Sequence, residues 1–139
     1  MILFGRVLTD GRELPASRVV VEGERVVAVE VGGDARGADL EAGDGWIAPG
    51  LIDLQVNGAG GVDLASAADP GAAVGRVAAT LASHGVTAFC PTLVSSPPER
   101  ILACLPAFAA GGPSLGAHVE GPFISPAHRG VHDPAWLRS

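Results

Sequence analysis

The sequence is short of charged residues, and of basic ones above all. Only 17% of its 139 residues are charged. There are nine Lys and Arg and fifteen Asp and Glu, so that the formal net charge is −6. The nine basic residues are scattered and form no basic stripe, which argues against nucleic-acid binding. A negative chain also has no long-range attraction for an acidic ligand, so any phosphate site must be a local one.

Cysteine, targeting segments and long apolar runs are equally scarce. Cys90 and Cys104 form no CxxC pair, and we interpret them as small buried hydrophobic residues in a reducing cytoplasm. The N-terminus, MILFGRVLTDGREL, lacks the positive leader, long apolar region and cleavage site of a signal peptide. No uncharged apolar stretch reaches the roughly 18 residues of a transmembrane helix. We therefore expect a cytoplasmic protein.

Common nucleotide-binding and nucleophile motifs are missing too. Gly58-Ala59-Gly60 begins a GxGxxG motif, but Asp63 stands where the third glycine is required. There is no GxxxxGK[ST] phosphate loop, and no Ser-His-Asp or Cys-His arrangement is recognisable. These glycines are therefore interpreted as belonging to a flexible loop.

What the chain does contain is apolar material, 47% of its residues, in two different patterns. Residues 1–45 read as β structure: a short strand over Ile2–Leu8 and a hairpin over Arg18–Glu30 that turns at Glu22-Gly23-Glu24. This pattern predicts a first domain, residues 1–45, built as a small antiparallel sheet.

From residue 46 onward, strands alternate with helices. Strands are predicted over Trp46–Val56, Val86–Cys90 and Leu115–Glu120, with helices that begin at Asp69-Pro70 and Ser96-Pro97. A β-α-β-α-β order is typical of a parallel sheet covered by helices. Three parallel strands do not close a barrel, which needs eight strands and about 200 to 250 residues. The expectation is a second domain, residues 46–139, that stops partway through an α/β barrel.

In such folds the reactive groups stand at the carboxyl ends of the strands. The candidates at those positions are Asp53, Gln55, Asn57, Pro91, Thr92, His118 and Glu120.

Glu120 is the most informative candidate, because it ends an apolar strand and shares a strand face with His118. Such a pair can ligate a divalent metal. The alternative is an exposed acid beside a packed histidine, and spacing alone favours that alternative, since a single HxE is weak evidence. Gln55 and Asn57 carry neutral amides suited to holding a water or a substrate oxygen, although Asn57-Gly58 is equally typical of a turn.

The remaining histidines are His84, expected at a helix end, and His128 and His132 in the tail. With Arg129 between them, the last two form a loop suited to an anionic or hydroxyl-rich ligand. An ordinary polar loop is the alternative interpretation.

Three segments together resemble a known family. The segment 48–58, APGLIDLQVNG, resembles the opening barrel strand of the amidohydrolase superfamily, most of whose members have His-x-His where this chain has Gln55 and Asn57. Its pattern PG-x-ID-x-Q-x-NG resembles one branch, the N-acetylglucosamine-6-phosphate deacetylases. Segments 85–92 (GVTAFCPT), 118–123 (HVEGPF) and 129–134 (RGVHDP) resemble that branch's second strand, third strand and following loop. Residues 1–45 resemble the small β-sandwich portion that accompanies the branch's TIM-like (β/α)8 barrel.

The resemblance implies roles for five residues. Glu120 would be the carboxylate ligand of the catalytic metal, and Val131 and His132 would contact the amino sugar, Val131 through its backbone. Gln55 and Asn57 stand in place of the histidine pair of a second metal site. The resemblance thus implies one divalent ion, Zn or Fe, per complete subunit.

The implied reaction is hydrolysis of the acetamide of N-acetylglucosamine 6-phosphate to glucosamine 6-phosphate and acetate, by a homodimer. In the family the general base is an Asp on a late strand, and two further metal ligands are His on middle strands; none of these positions lies within this chain. We therefore expect an N-terminal piece with no catalytic residue of its own, inactive alone.

Two alternatives remain at this point. One is another amidohydrolase, dihydroorotase-like or deaminase-like, which would be expected to show His-x-His at positions 55 and 57. The other is a non-catalytic remnant or binding module that binds no metal.

Overall fold

The computed structural model describes residues 1–138, which divide into two compact units, Met1–Pro49 and a second one starting at Gly50. The first unit holds four strands: β1 (Ile2–Thr9), β2 (Arg12–Glu22), β3 (Arg25–Val31) and β4 (Leu40–Ile47). The second unit holds β5 (Leu51–Val56), β6 (Gly58–Ala59), β7 (Val62–Asp63), α1 (Pro70–Ala82), β8 (Val86–Leu93), α2 (Pro98–Phe108) and β9 (His118–Val119). Two short 3₁₀ helices follow, Pro126–His128 and Pro134–Trp136.

The first unit is one sheet with strand order β3-β2-β1-β4. The predicted hairpin is confirmed, since β2 and β3 pair in antiparallel around Gly23, which has a positive φ of 59°. The prediction of a wholly antiparallel sheet is wrong, because β4 runs parallel to β1. Asp39 explains this direction: its N–H donates to Ile2 O (2.8 Å) and its carboxylate accepts from Ile2 N–H (2.6 Å). The residue before β4 is thereby held beside the start of β1, so the two strands begin at the same end of the sheet and run in the same direction.

The predicted single strand over Trp46–Val56 is two strands in the structure. Trp46 and Ile47 end β4, opposite Arg6 and Val7, and β5 begins only after Pro49 and Gly50. Proline has no N–H to continue a ladder, so the break falls at this dipeptide. The division between the two units therefore lies after Pro49 rather than after residue 45.

The second unit is a mixed α/β structure. Its sheet has the order β5-β8-β9, with both pairs parallel. The third strand is shorter than predicted: β9 spans only His118–Val119, and the preceding segment pairs with β8 at a single bridge, Phe89 with Ser114. Gly116 has a φ of 126°, which interrupts the extended conformation between these two contacts.

The two helices begin in different ways. For α1 the predicted cap is confirmed. The Asp69 side chain accepts a hydrogen bond from Ala72 N–H at 3.0 Å, and Pro70 is the first residue of the helix. For α2 the predicted Ser96 cap is wrong. Pro97 occupies the cap position, and Ser96 Oγ donates to Val94 O at 2.9 Å. Pro106 lies inside α2, which continues to Phe108.

Both helices bury one side against β8 and against each other. The fully enclosed residues of this core are Val56, Leu64, Ala73, Val77, Phe89, Leu93, Cys104 and Phe108. Burial raises the pKa of the Cys104 thiol above its ordinary value, an effect that the nearby Arg100 guanidinium partly offsets. Cys104 is thus a protonated, apolar core residue, in line with its interpretation from sequence. Within residues 1–138, no helix is both long and apolar enough to cross a membrane.

Arg100, on α2, secures the loop that leads into α1. Its guanidinium donates to three carbonyl oxygens, those of Leu64, Ala65 and Ala67, at 2.7 to 3.0 Å. The planar fork of arginine suits such a set of acceptors. Helix α2 is therefore tied both to the core and to the connection that follows β7.

Replacing Phe108 by Ala is expected to destabilise the second unit by about 3–5 kcal/mol, because it leaves a cavity between α2 and the sheet. Urea denaturation of the whole protein gives the free energy of unfolding. The matched control is Leu102→Ala on the same helix, where the side chain is 67% exposed, and it should cost less than about 1 kcal/mol. Equal losses for the two variants would contradict this core.

Candidate active site

A cluster of polar side chains forms at the carboxyl edge of the β5-β8-β9 sheet. The three strands are parallel, so they end at the same edge. Gln55 belongs to β5, Ser95 follows β8, and Glu120 follows β9 directly. His132, from the tail loop, completes the cluster.

Glu120 lies at the centre of this cluster. Its N–H donates to Leu93 O at 2.8 Å, which fixes its backbone at the end of the ladder. One carboxylate oxygen accepts from Gln55 Nε2 at 2.9 Å, and the other lies 3.3 Å from His132 Nε2. The side chain remains 33% exposed. A carboxylate has about four lone-pair positions, so these two contacts leave capacity for a further ligand.

His132 is almost completely buried, with 4% of its surface exposed. Its Nδ1 accepts from Ser95 N–H at 3.2 Å and lies 2.8 Å from Ser95 Oγ. The loop that carries it is braced by Arg129, whose guanidinium donates to His132 O at 2.9 Å. In the neutral ring the proton is consequently on Nε2, the nitrogen that faces Glu120.

His118 and His132 have different roles in the structure. His118 shares a strand with Glu120, but its Nδ1 lies 2.8 Å from Leu54 O, so the ring ties β9 to β5. For His118 the packed-histidine interpretation therefore describes the structure. The histidine that meets Glu120 is His132, twelve residues further along the chain.

The other candidates lie outside the hydrogen-bonded cluster. The Asn57 side chain is exposed, and its carbonyl oxygen accepts from Leu64 N–H at 2.9 Å, next to the β6–β7 hairpin. Val131 precedes His132 in the loop, with a side chain that is 90% exposed. His128 is exposed at the end of the first 3₁₀ helix, and His84 lies beside Thr80 O, at the end of α1.

Several strand-end residues have structural roles. Thr92 Oγ1 accepts from Val56 N–H and donates to Cys90 O, both at 3.0 Å, and so links β5 to β8. Pro91 is buried beside it, and Asp53 accepts from Gln55 N–H at 3.1 Å. Ser95 was missed from the sequence. It lies five residues past the predicted strand Val86–Cys90 and only two past the end of β8 in the structure, so a correct strand end was the signal that could have found it.

The donor set fits a metal ion only in part. Among residues 1–138 no group of three or more His, Cys, Asp and Glu side chains could hold a metal, whereas zinc sites normally use at least three protein ligands. Glu120 supplies one suitable oxygen. The imidazole nearest to it presents a protonated nitrogen, which is not a ligand.

Comparison with known proteins gives a consistent result, although no family model matches. The N-acetylglucosamine-6-phosphate deacetylase of Mus musculus is 52% identical over 136 residues, which cover 93% of this chain and 31% of that protein. The protein of the same name from Caenorhabditis elegans is 37% identical over 133 residues, 88% of this chain and 30% of that protein. The chain spans about a third of the length of the curated relatives it matches.

Solved structures agree in fold. A variant of the Mycobacterium smegmatis N-acetyl-D-glucosamine-6-phosphate deacetylase, in complex with N-acetyl-D-glucosamine-6-phosphate, matches with a TM-score of 0.86 and 31% identity over 100% of this chain and 37% of that one. The Thermotoga maritima N-acetylglucosamine-6-phosphate deacetylase matches with a TM-score of 0.80 and 25% identity over 99% of this chain and 37% of that one. In sequence and in fold, the chain belongs to the family of the N-acetylglucosamine-6-phosphate deacetylases.

Proposed function

We propose that the whole protein hydrolyses the acetamide of N-acetylglucosamine 6-phosphate to glucosamine 6-phosphate and acetate. The observation that carries this proposal is the position of Glu120, held between Gln55 and His132 at the reactive edge of a parallel sheet. This edge belongs to a chain that is 52% identical to a deacetylase of this name. Gln55 and Asn57 replace the His-x-His of other amidohydrolases, so the dihydroorotase-like and deaminase-like alternatives are not favoured.

In this proposal Glu120 is the carboxylate ligand of one divalent ion, Zn or Fe. Gln55 holds the Oε2 side of the carboxylate, and its neutral amide adds no second metal-binding group. Once bound, the ion supplies Lewis-acid chemistry, polarising a carbonyl and lowering the pKa of water. Because residues 1–138 offer a single fitting ligand, the remaining ligands belong to other parts of the protein. The same holds for the carboxylate general base.

His132 and Val131 are proposed to bind the amino sugar. The Nε2 proton of His132 faces Glu120 Oε1 at 3.3 Å, a long contact that a sugar or acetyl oxygen bound beside Glu120 could share. Val131 has an exposed side chain with nothing to define its position, so its backbone is the group that we assign to substrate binding.

The finer architecture is also a proposal. We assign the first unit, Met1–Pro49, to a β-sandwich portion and the second unit, from Gly50 onward, to the first three βα units of a TIM-like (β/α)8 barrel. Its support is the parallel order of β5, β8 and β9 with α1 and α2 between them. Three side chains of β5 also remain exposed: Leu51, Ile52 and Leu54. This is expected of a strand whose two faces would be covered by the interior and the outer helices of a complete barrel. The homodimer rests on the resemblance, and the cytoplasmic location rests on the sequence features described above.

The direct test is acetate release from N-acetylglucosamine 6-phosphate by the whole protein purified from its own cells. We expect turnover that is lost after chelation and restored by Zn²⁺ or Fe²⁺. Unphosphorylated N-acetylglucosamine is the comparison substrate. Absence of acetate release from the metal-loaded protein would contradict the proposed activity.

Replacing Glu120 by Gln is expected to lower metal content and activity together, activity by at least about 100-fold, because the neutral amide is a poor ligand. Metal analysis and initial rates on the whole protein measure the two effects. Glu99→Gln, an exposed acid in the first turn of α2, is the matched control and should change neither. Full metal content in the Glu120 variant would refute the ligand assignment.

Replacing His132 by Phe is expected to raise KM for the sugar phosphate by about 5-fold or more, the loss expected for one hydrogen bond, with metal content retained. Steady-state kinetics and metal analysis separate the two. His128→Phe, an exposed histidine in the same loop, serves as the control. An unchanged KM in the His132 variant would remove this residue from the binding site.

A further inference from the structure

Ser95 is a buried polar residue that neither the resemblance nor the proposed function uses. It lies two residues beyond β8, and only 4% of its surface is exposed. Both of its polar donors, the backbone N–H and the hydroxyl, converge on one atom, His132 Nδ1, at 3.2 and 2.8 Å. The hydroxyl makes the shorter of the two contacts.

This convergence determines where the imidazole carries its proton. The backbone N–H of Ser95 can only donate, so Nδ1 must present its lone pair. The neutral ring then has its proton on Nε2, 3.3 Å from Glu120 Oε1. A ring turned over by 180° would direct carbon atoms at both partners and lose all three contacts.

We propose that Ser95 is a positioning residue, which fixes the tautomer and ring orientation of His132 so that Nε2–H points into the site. The role of that proton in substrate binding rests on the proposed function; the positioning itself does not. Ser95 acts through His132, with no contact to Glu120 of its own among the hydrogen bonds of residues 1–138.

The surrounding backbone is shaped to admit this contact. Gly121 follows Glu120 with a φ of 94°, and a Cβ on it would overlap Ser95 Oγ. Glycine is the residue that tolerates both the positive φ and the close approach. The end of β8 therefore packs directly against the chain after β9, and Ser95 reaches the loop that holds His132.

The neighbouring Ser96 is a natural control. It has the same side chain and is half-buried, but its hydroxyl donates to Val94 O at 2.9 Å. Removing either hydroxyl costs one local hydrogen bond, and only Ser95 touches His132. A general loss of loop stability would affect both variants, whereas positioning would affect one.

The test uses the whole zinc-loaded protein with ¹⁵N-labelled histidine. In the unmodified protein, ¹⁵N NMR is expected to show His132 with Nε2 protonated and Nδ1 unprotonated, its signals assigned by their loss in His132→Gln. Ser95→Ala keeps the backbone donor to Nδ1 and loses the hydroxyl donor. It is expected to retain the Nε2 tautomer, to move the Nδ1 chemical shift toward that of a nitrogen accepting fewer hydrogen bonds, and to lower kcat/KM by about threefold, with metal content unchanged. Ser96→Ala should match the unmodified protein in both measurements, and Ser95→Thr should recover the original Nδ1 shift.

Two results would overturn the proposal. One is an unmodified protein in which His132 carries its proton on Nδ1, a measurement that needs no variant to fold. The other is a folded Ser95→Ala variant in which neither the Nδ1 chemical shift of His132 nor kcat/KM changes, which would leave Ser95 a packing role only. Because the NMR signal is independent of turnover, the positioning role is tested separately from the deacetylase activity.

Discussion

The hydrogen bond from Glu120 N–H to Leu93 O, 2.8 Å long, is the interaction on which the candidate site depends. It ends the β8–β9 ladder and fixes the position of a carboxylate at the carboxyl edge of the sheet. Because β8 also pairs with β5 on its other side, the same strand brings Gln55 to within 2.9 Å of Glu120, across 65 positions of sequence. The site is thus assembled by a shared central strand.

The electrostatics of the cluster are simple. One carboxylate is surrounded by a neutral amide and by an imidazole that receives two donors at Nδ1. No Arg or Lys contacts Glu120 among the ion pairs of residues 1–138, where its one pairing is with His132. A carboxylate without a cationic partner favours a bound cation, and a partly exposed one can accept it without a full desolvation cost. This arrangement agrees with a metal ligand better than with a structural ion pair.

Local features were predictable from the sequence, and distant ones were not. The start of α1 follows from Asp69 and Pro70, neighbours in the chain, and Glu120 was found because strand alternation and position in the βα order are also local. The parallel direction of β4 depends on Asp39 meeting Ile2, and the choice of His132 over His118 depends on Ser95, 37 positions away. No periodicity encodes such contacts.

A related limit applies to β9. Its predicted length came from the alternation of residues 115–120, but Gly116 adopts a positive φ and restricts regular pairing to His118 and Val119. Alternation reports which faces are apolar, and it says little about where a ladder is interrupted. The predicted position of Glu120 at the end of the strand is nevertheless correct, because its N–H still bonds to Leu93 O.

The most direct test of the account is anomalous diffraction at the zinc edge from crystals of the whole zinc-loaded protein. We expect a peak about 2.0–2.2 Å from a Glu120 carboxylate oxygen, on the side left open by Gln55 and His132. A metal bound elsewhere, with Glu120 still contacting only those two side chains, would contradict it.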